Sequence, residues 1–209
     1  MYLAFKRLLD VTVSVIGMLF VSPVFLLIAV AIKLESRGPV FFVQKAVGRG
    51  GREFRLLKFR SMVPGSQDDL HKSDLQRNYR IATATSCDSK GRPVFKMALA
   101  DRSRITHVGR ILRRTSLDEL PQLWNVLVGD MSLVGPRPAL PWEVELYDER
   151  EKRRLSIRPG LTGLYQVTAR NHVDVREMIR IDLEYVRKRS AWLDLELLIR
   201  TPRAMFNGM

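Results

Sequence analysis

Val11 to Ile32, VTVSVIGMLFVSPVFLLIAVAI, runs for 22 residues without a charge. As a straight helix it extends about 33 Å at 1.5 Å per residue, enough to cross the hydrocarbon core of a bilayer. A cleaved signal peptide fits poorly, because the run is long for such a segment and IKLESRG after it offers no small-x-small cleavage site. A buried core helix usually keeps a polar stripe, and here only Thr12, Ser14 and Ser22 interrupt the apolar surface. The segment therefore reads as a membrane-inserted helix.

Whether it crosses is a separate question. Lys6 and Arg7 precede the run, and Lys33, Arg37, Lys45, Arg49 and Arg52 follow it, so both flanks favour the cytoplasmic side. Near the middle, Pro23 lacks a backbone donor and clashes with the carbonyl four residues back, which predicts a kink. The Ser22 hydroxyl can serve the carbonyls so freed. Two arrangements stay open on these features: an ordinary span with a tolerated proline, and a re-entrant helix that enters and leaves by one face.

Lys and Arg number 35 against 22 Asp and Glu, a formal net charge of +13. Setting aside Lys6, Arg7 and Asp10, the chain beyond the apolar run carries 33 basic and 21 acidic residues. Nucleic acid, anionic lipid and phosphorylated small molecules all qualify as partners on charge alone. Held against anionic headgroups, each basic residue would contribute about 1 kcal/mol of attraction. No helix-turn-helix, zinc or aromatic RNA-binding signature accompanies the charge, so nucleic acid is not the expected partner. The single Cys87 excludes an intramolecular disulfide framework and suits a reduced, cytosol-facing protein. His71, His107 and His172 lack metal-ligand spacing. With 209 residues, 46% of them hydrophobic, the chain has material for one folded core.

Pro39 to Arg60 reads as a hairpin around Gly48-Arg49-Gly50-Gly51. No strand-then-helix context surrounds these glycines, so a turn is preferred to a phosphate cradle. Residues 63–104 are polar and poorly periodic, the pattern of a variable insertion or mobile loop, with a helix permitted over 68–80 and a turn at 89–91. Ile105 to Arg113 is amphipathic and basic. A helix is expected over 117–128, ending near Gly129, and a short strand over 131–134. The charged stretch 143–156 reads as a helix with a solvated face. Val175, Ile179, Leu183 and Val186 form a helical stripe over 173–187. Trp192 to Ile199 is apolar, and Trp192 and Phe206 suit either a membrane interface or a core. The expected fold class is α+β: an N-terminal kinked membrane helix with its flank (1–36), and a mostly helical cytosolic domain with a small hairpin or sheet (37–209).

TSLDELPQLWNVLVGDMSLVGPRP, residues 115–138, places adjacent carboxylates Asp118 and Glu119 in this basic chain. Ser116-x-x-Glu119 is a capping-box pattern, and Pro121 is tolerated within a helix's first turn. A helix cap therefore explains the pair adequately. Three features favour more. Adjacent residues diverge by about 100° around a helix, so only one of the two can complete the box. Arg113 and Arg114 lie just upstream, and Pro136-Arg137-Pro138 holds an arginine in an extended, low-entropy loop. RPGLTGLYQVTARN (158–171) repeats the style, with Gln166, Arg170 and Asn171 after turn glycines, or else is a turn leading into a half-buried strand.

KRLLD (6–10), the apolar helix broken at Ser22-Pro23, GPVFFVQ (38–44), KFRSM (58–62), TSLDELPQLWNVLVGDMSLVGPRP and RPGLTGLYQVTARN together resemble, in that order, the bacterial sugar transferases of the monotopic phosphoglycosyl transferase family. The match covers nearly the whole chain apart from about 63–104. The chain looks like the minimal catalytic unit of that family. It departs from the common pattern at Leu164-Tyr165 and Thr168-Ala169.

The resemblance implies Mg²⁺-dependent transfer of a phospho-sugar from a UDP-sugar to undecaprenyl phosphate, with release of UMP, as a membrane step of surface-glycan synthesis. It implies that Asp118 is the nucleophile, partnered by Glu119, and that Asp118 contacts the metal. Candidate substrate-binding residues are Lys58, Arg60, Arg113, Arg114, Pro136, Arg137, Pro138, Gln166, Arg170 and Asn171. Lys6, Arg7 and Asp10 are expected to meet the polyprenyl phosphate headgroup, although ordinary basic flanking explains them equally. The helix is expected to be re-entrant and the domain to lie on the cytoplasmic face of the plasma membrane against anionic lipid. A homo-oligomer stays open. Neither the sugar nor the role of Glu119 beyond the turn follows from these residues.

Overall fold

The computed structural model describes residues 2–63, 104–169, 173 and 175–207. The helix expected over 68–80 and the turn at 89–91 lie outside the described residues. The α+β expectation holds: helices surround two small two-stranded sheets, behind one long apolar N-terminal helix.

Helix α1 (Tyr2–Glu35) runs uninterrupted through Pro23. Pro23 cannot donate to the carbonyl of Leu19, and the Ser22 hydroxyl donates to it instead at 2.8 Å. Although apolar nearly all round, α1 is not uniformly exposed. Arg7, Asp10, Ser14, Met18, Val21, Phe25, Ile28 and Ile32 recur every three or four residues on the side turned to the rest of the protein. Asp10, Ser14, Ile28 and Ile32 are buried, whereas Leu19, Phe20, Leu26 and Leu27 stand open on the other side, Phe20 at 81%. Both halves of the helix thus rest on the same body.

Strands β1 (Phe41–Val47) and β2 (Glu53–Phe59) pair antiparallel with Phe41 opposite Phe59 and Val47 opposite Glu53. The turn between them uses Gly50 and Gly51 at φ +70° and +78°, where a side chain would be strained. Phe59 seats α1 and α2 (His107–Thr115) on the hairpin in a cluster with Ile28, Ile32 and Leu112, and Phe25 meets its ring edge-on at 4.9 Å. Thr106 caps α2 through the Gly109 N–H.

The helix expected over 117–128 is shorter than its pattern. A 3₁₀ turn occupies Leu117–Glu119, and α3 spans Gln122–Val128. Pro121 has no N–H for the carbonyl of Leu117, and with Ser116 left-handed just upstream the residues before Pro121 fold as a separate turn. Strand β3 (Ser132–Val134) pairs in parallel with β4 (Gly160–Thr162). The charged stretch 143–156 is not one helix: α4 covers Pro141–Val144, and a 3₁₀ turn covers Glu151–Ser156. Asp148 and Glu151 cap each other's backbone N–H groups there, starting a new turn in the middle of the expected helix. Helices α5 (Leu164–Thr168), α6 (Val175–Lys188) and α7 (Ala191–Asn207) complete the order. The central core joins Ala46 and Leu56 of the hairpin, Leu123 and Val126 of α3, Leu133 and Val134 of β3, Tyr185 and Leu197.

Candidate active site

Ser116 takes up the left-handed conformation at φ 58°, ψ 18°, which ends α2 and turns the chain sharply into Leu117-Asp118-Glu119. This is a costly conformation for a residue with a Cβ, and such conformations concentrate at functional sites. The capping box suggested by Ser116 and Glu119 does not form, since the Ser116 side chain makes no capping bond to the turn. The Glu119 carboxylate instead accepts from Lys58 of β2 at 3.2 Å, across 61 residues of sequence.

Asp118 is mostly buried, and its carboxyl is pushed up to about 6. Burial is the largest cause and the charge of Glu119 the next. Lys58 and Arg113 pull the other way and only partly offset them. The Arg113 guanidinium is oriented by Ser61 Oγ at 2.9 Å. A carboxylate that titrates near neutrality beside two cations is suited to covalent work, because it is partly desolvated yet can ionise.

In front of the turn lies a cavity of about 480 Å³, within the range of small-molecule sites. Lys58, Glu119, Arg137, Pro138 and Gln166 line it, together with Gln44, Leu133, Glu143, Leu161, Tyr165, Met178, Leu198 and Thr201 among others. Arg137 pairs with Glu143 at 3.6 Å, and Glu143 also accepts from the Leu140 N–H at 2.7 Å. Behind this loop, Arg154 is wholly buried. It bonds Asp182, the Tyr147 hydroxyl, and the Arg137 carbonyl at 2.8 Å. The backbone of Arg137 is therefore held from within while its guanidinium reaches the cavity. Pro136 is fully buried, and its carbonyl accepts from the Gly160 N–H at 2.8 Å, tying the loop to β4.

Several expected site residues sit elsewhere. Arg60 is buried and donates to the carbonyls of Ile32, Ser36 and Arg37, so it caps the end of α1 rather than lining the cavity. Arg114 is exposed on α2. Arg7 donates to the Val126 and Leu127 carbonyls, both at 2.7 Å, and closes the C-terminus of α3. Lys6 forms a 2.7 Å ion pair with Asp194 of α7. Asp10 accepts from Ser132 Oγ and the Leu133 N–H at 3.0 and 2.9 Å. All three thus hold α1 to the body. Arg170 and Asn171 lie outside the described residues.

Glu143 and Gln44 are cavity residues that the sequence did not single out. Glu143 falls in the stretch read as a solvated face, and only Pro141 two residues before it hinted at a helix start whose third residue turns inward. Gln44 carries no local signal.

The Mg²⁺ implied by the resemblance can be tested against these donors. Among the described residues no cluster of three or more acidic, His or Cys side chains exists. Asp118, raised by burial and by the charge of Glu119, and Glu119 itself are two adjacent carboxylates that can offer oxygen ligands. Mg²⁺ is commonly held by one or two carboxylates together with substrate phosphates and water, so this donor set fits.

The sequence matches known proteins along nearly its whole length. The family described as bacterial sugar transferase matches residues 1–208. The galactosyl transferase CpsE of Streptococcus agalactiae is 40% identical over 99% of this chain and 43% of its own length. The undecaprenyl-phosphate galactose phosphotransferase of Salmonella typhimurium is 40% identical over 96% of this chain and 40% of its own. The exopolysaccharide production protein ExoY of Rhizobium meliloti is 39% identical over 94% of this chain and 83% of its own. The chain thus spans less than half of the first two and most of the third. A strained turn carrying paired carboxylates, basic groups around a cavity, a long apolar helix and this match along the sequence place the chain in the bacterial sugar transferase family.

Proposed function

We propose that this chain transfers a phospho-sugar from a UDP-sugar to undecaprenyl phosphate. Asp118 attacks the phosphorus that bears the sugar, and a new carboxylate–phosphorus bond forms. The bond from that phosphorus to the bridging oxygen breaks, and its electron pair leaves with UMP. A phosphate oxygen of undecaprenyl phosphate then attacks the same phosphorus, giving the lipid diphosphate-sugar and returning Asp118 as carboxylate. The observation that carries this reading is the mostly buried Asp118 beside Glu119, Lys58 and Arg113, with Ser116, Glu119 and Lys58 lining a cavity large enough for a nucleotide while Asp118 and Arg113 stand just behind that lining. Splitting the transfer in two lets a soluble and an embedded substrate react in turn at one site.

Lys58 and Arg113 are placed to receive phosphate charge, and Arg137, with its backbone fixed by Arg154, to clamp the nucleotide. Asp118 and Glu119 would hold Mg²⁺, which when bound neutralises charge on the diphosphate. Asp118 must be ionised to act.

The chain would work on the cytoplasmic face of the membrane with α1 inserted from that side. Because both halves of α1 rest on the same body, a straight crossing would draw part of that body into lipid. The open face of α7 adds Trp192 (77% exposed), Leu195 and Ile199 at helical spacing, which suits the headgroup level.

The chain should be incubated with a panel of UDP-sugars and Mg²⁺, with and without undecaprenyl phosphate, while UMP release and intact mass are followed. A phospho-sugar adduct in the absence of acceptor, and rapid turnover only in its presence, are expected. Full-rate UMP release without lipid would instead mean a diphosphate hydrolase. Cysteines replacing Leu3 and Arg37 in a Cys87→Ser background should both be labelled from the cytosol; labelling from opposite sides would sink the re-entrant arrangement.

A further inference from the structure

The cavity wall divides by the elements that build it. Its charged groups come from β2, the 117–119 turn, the Arg137 loop and α4. The side contributed by β4, α5, α6 and α7 is largely apolar: Leu161, Tyr165, Val175, Met178, Leu198 and Pro202. Thr162 and Thr201 share a hydrogen bond with each other at 2.8 Å. Gln166 is different. Its Oε1 is buried without a hydrogen-bond partner, and it is the one such side chain among the described residues that lines the cavity.

Gln166 folds over Gly163. A Cβ there would stand 2.1 Å from the Gly135 carbonyl oxygen and 2.7 Å from Gln166 Oε1, so the glycine makes room for both. An amide keeps its shape under a half turn about its last torsion, and the hydrogen-bond network decides its sense. Turned by that half rotation, Nε2 would stand on the Gly163 side and Oε1 would take the place Nε2 now has on a side chain that lines the cavity.

A sugar ring carries hydroxyls around its whole edge and would leave most of them unpaired on such a wall. A planar heterocycle has two apolar faces and one polar edge, which matches an apolar wall with one amide. We infer that the wall built by β4 and α5–α7 is the nucleobase subsite and that Gln166 Oε1 accepts the N3–H of a uracil ring. The sugar then lies on the charged side, away from α6 and α7. This assignment rests on the proposal that the donor is a uridine nucleotide.

The test uses the full chain in lipid nanodiscs with Mg²⁺, and measures binding of UMP and N3-methyl-UMP by calorimetry and by competition against UDP-sugar turnover. Methylation removes the donated hydrogen, so the wild type should bind N3-methyl-UMP about tenfold or more weakly. Gln166→Leu should weaken UMP by a similar factor and bind the two nucleotides within about twofold of each other. Equal binding of both by the wild type overturns the assignment, and so does discrimination that persists in Gln166→Leu, which would mean bulk alone is sensed. The wild-type comparison stands even if the variant does not fold. UMP release from UDP-sugars with no effect of N3 methylation overturns this inference alone. Absence of any UMP binding overturns the uridine-donor reading and this inference with it.

Discussion

Asp10 of α1 and Asp118 of the turn before α3 are both withdrawn from solvent, and the protein treats them oppositely. Asp10 receives a hydroxyl and a backbone N–H from β3, and Lys6 and Arg7 one turn away are committed to Asp194 and to the end of α3. These donors and cations oppose the burial that still raises its carboxyl, and the result is a joint between α1 and the body. Asp118 has burial and Glu119 working against its charge, with Lys58 engaged by Glu119. A buried carboxylate whose donors are supplied locally holds structure together; one left short of them is where chemistry can be run.

The largest effect should separate the two at once. Asp118→Asn is expected to lower phospho-sugar transfer by at least about 10³-fold, as loss of a covalent nucleophile does, with no adduct in the mass spectrum. Its stability should not fall. The folded-state pKa of about 6 lies above the ordinary carboxylate value of 3.8, so the folded protein binds this proton more tightly than the unfolded chain. Ionisation therefore costs stability at neutral pH, about 3 kcal/mol, and the cost disappears as pH falls through 6 toward 4. Wild type should gain this stability on acidification and Asp118→Asn should lack the gain. Undiminished transfer by the variant would remove the contrast altogether.

Asp10→Ala should do the reverse. It leaves the Ser132 hydroxyl and the Leu133 N–H buried without their acceptor, which costs about 2–4 kcal/mol in thermal or denaturant melting. Activity per folded molecule should change far less. If stability is unchanged while the KM for undecaprenyl phosphate rises, Asp10 belongs to the lipid headgroup site, and the two aspartates are functional partners rather than opposites.

How much of this could be read in the chain follows from the range of the interactions. The hairpin and α6 rest on periodicity and turn residues within a short window and stand where the pattern puts them, whereas α1 holds the apolar run but continues from Tyr2 to Glu35 as one helix through Pro23, where a kink was expected. Pro121 was visible, but its consequence, a separate turn before a shorter helix, depended on the left-handed Ser116. The packing stripe of α1 was hidden because polar Asp10 and Ser14 belong to it alongside apolar residues, and the partners of Asp10 lie more than a hundred residues away. Arg60 and Arg137 look alike in sequence, each a lone arginine in a motif. One is turned back onto α1, and the other is held at the cavity by Arg154 and Glu143, whose own stretch looked like solvated charge.

The smallest effect sharpens the contrast most, because it changes one charge and keeps the shape. Glu119→Gln removes the like charge that helps to hold Asp118 high and releases Lys58 from its 3.2 Å partner. Both changes favour ionised Asp118. The acid limb of the pH–rate profile, read from the first burst of UMP release, should therefore move below 6 by roughly one unit. The stability gained on acidification should shrink with it, since folded and unfolded pKa values are brought closer together. The overall rate also reports Mg²⁺, since Glu119 stands among the groups that would hold it; the position of the limb is independent of that height. A limb that stays in place would mean burial alone sets the Asp118 proton, and a limb that rises would mean Glu119 normally supports the charge of Asp118 rather than opposing it.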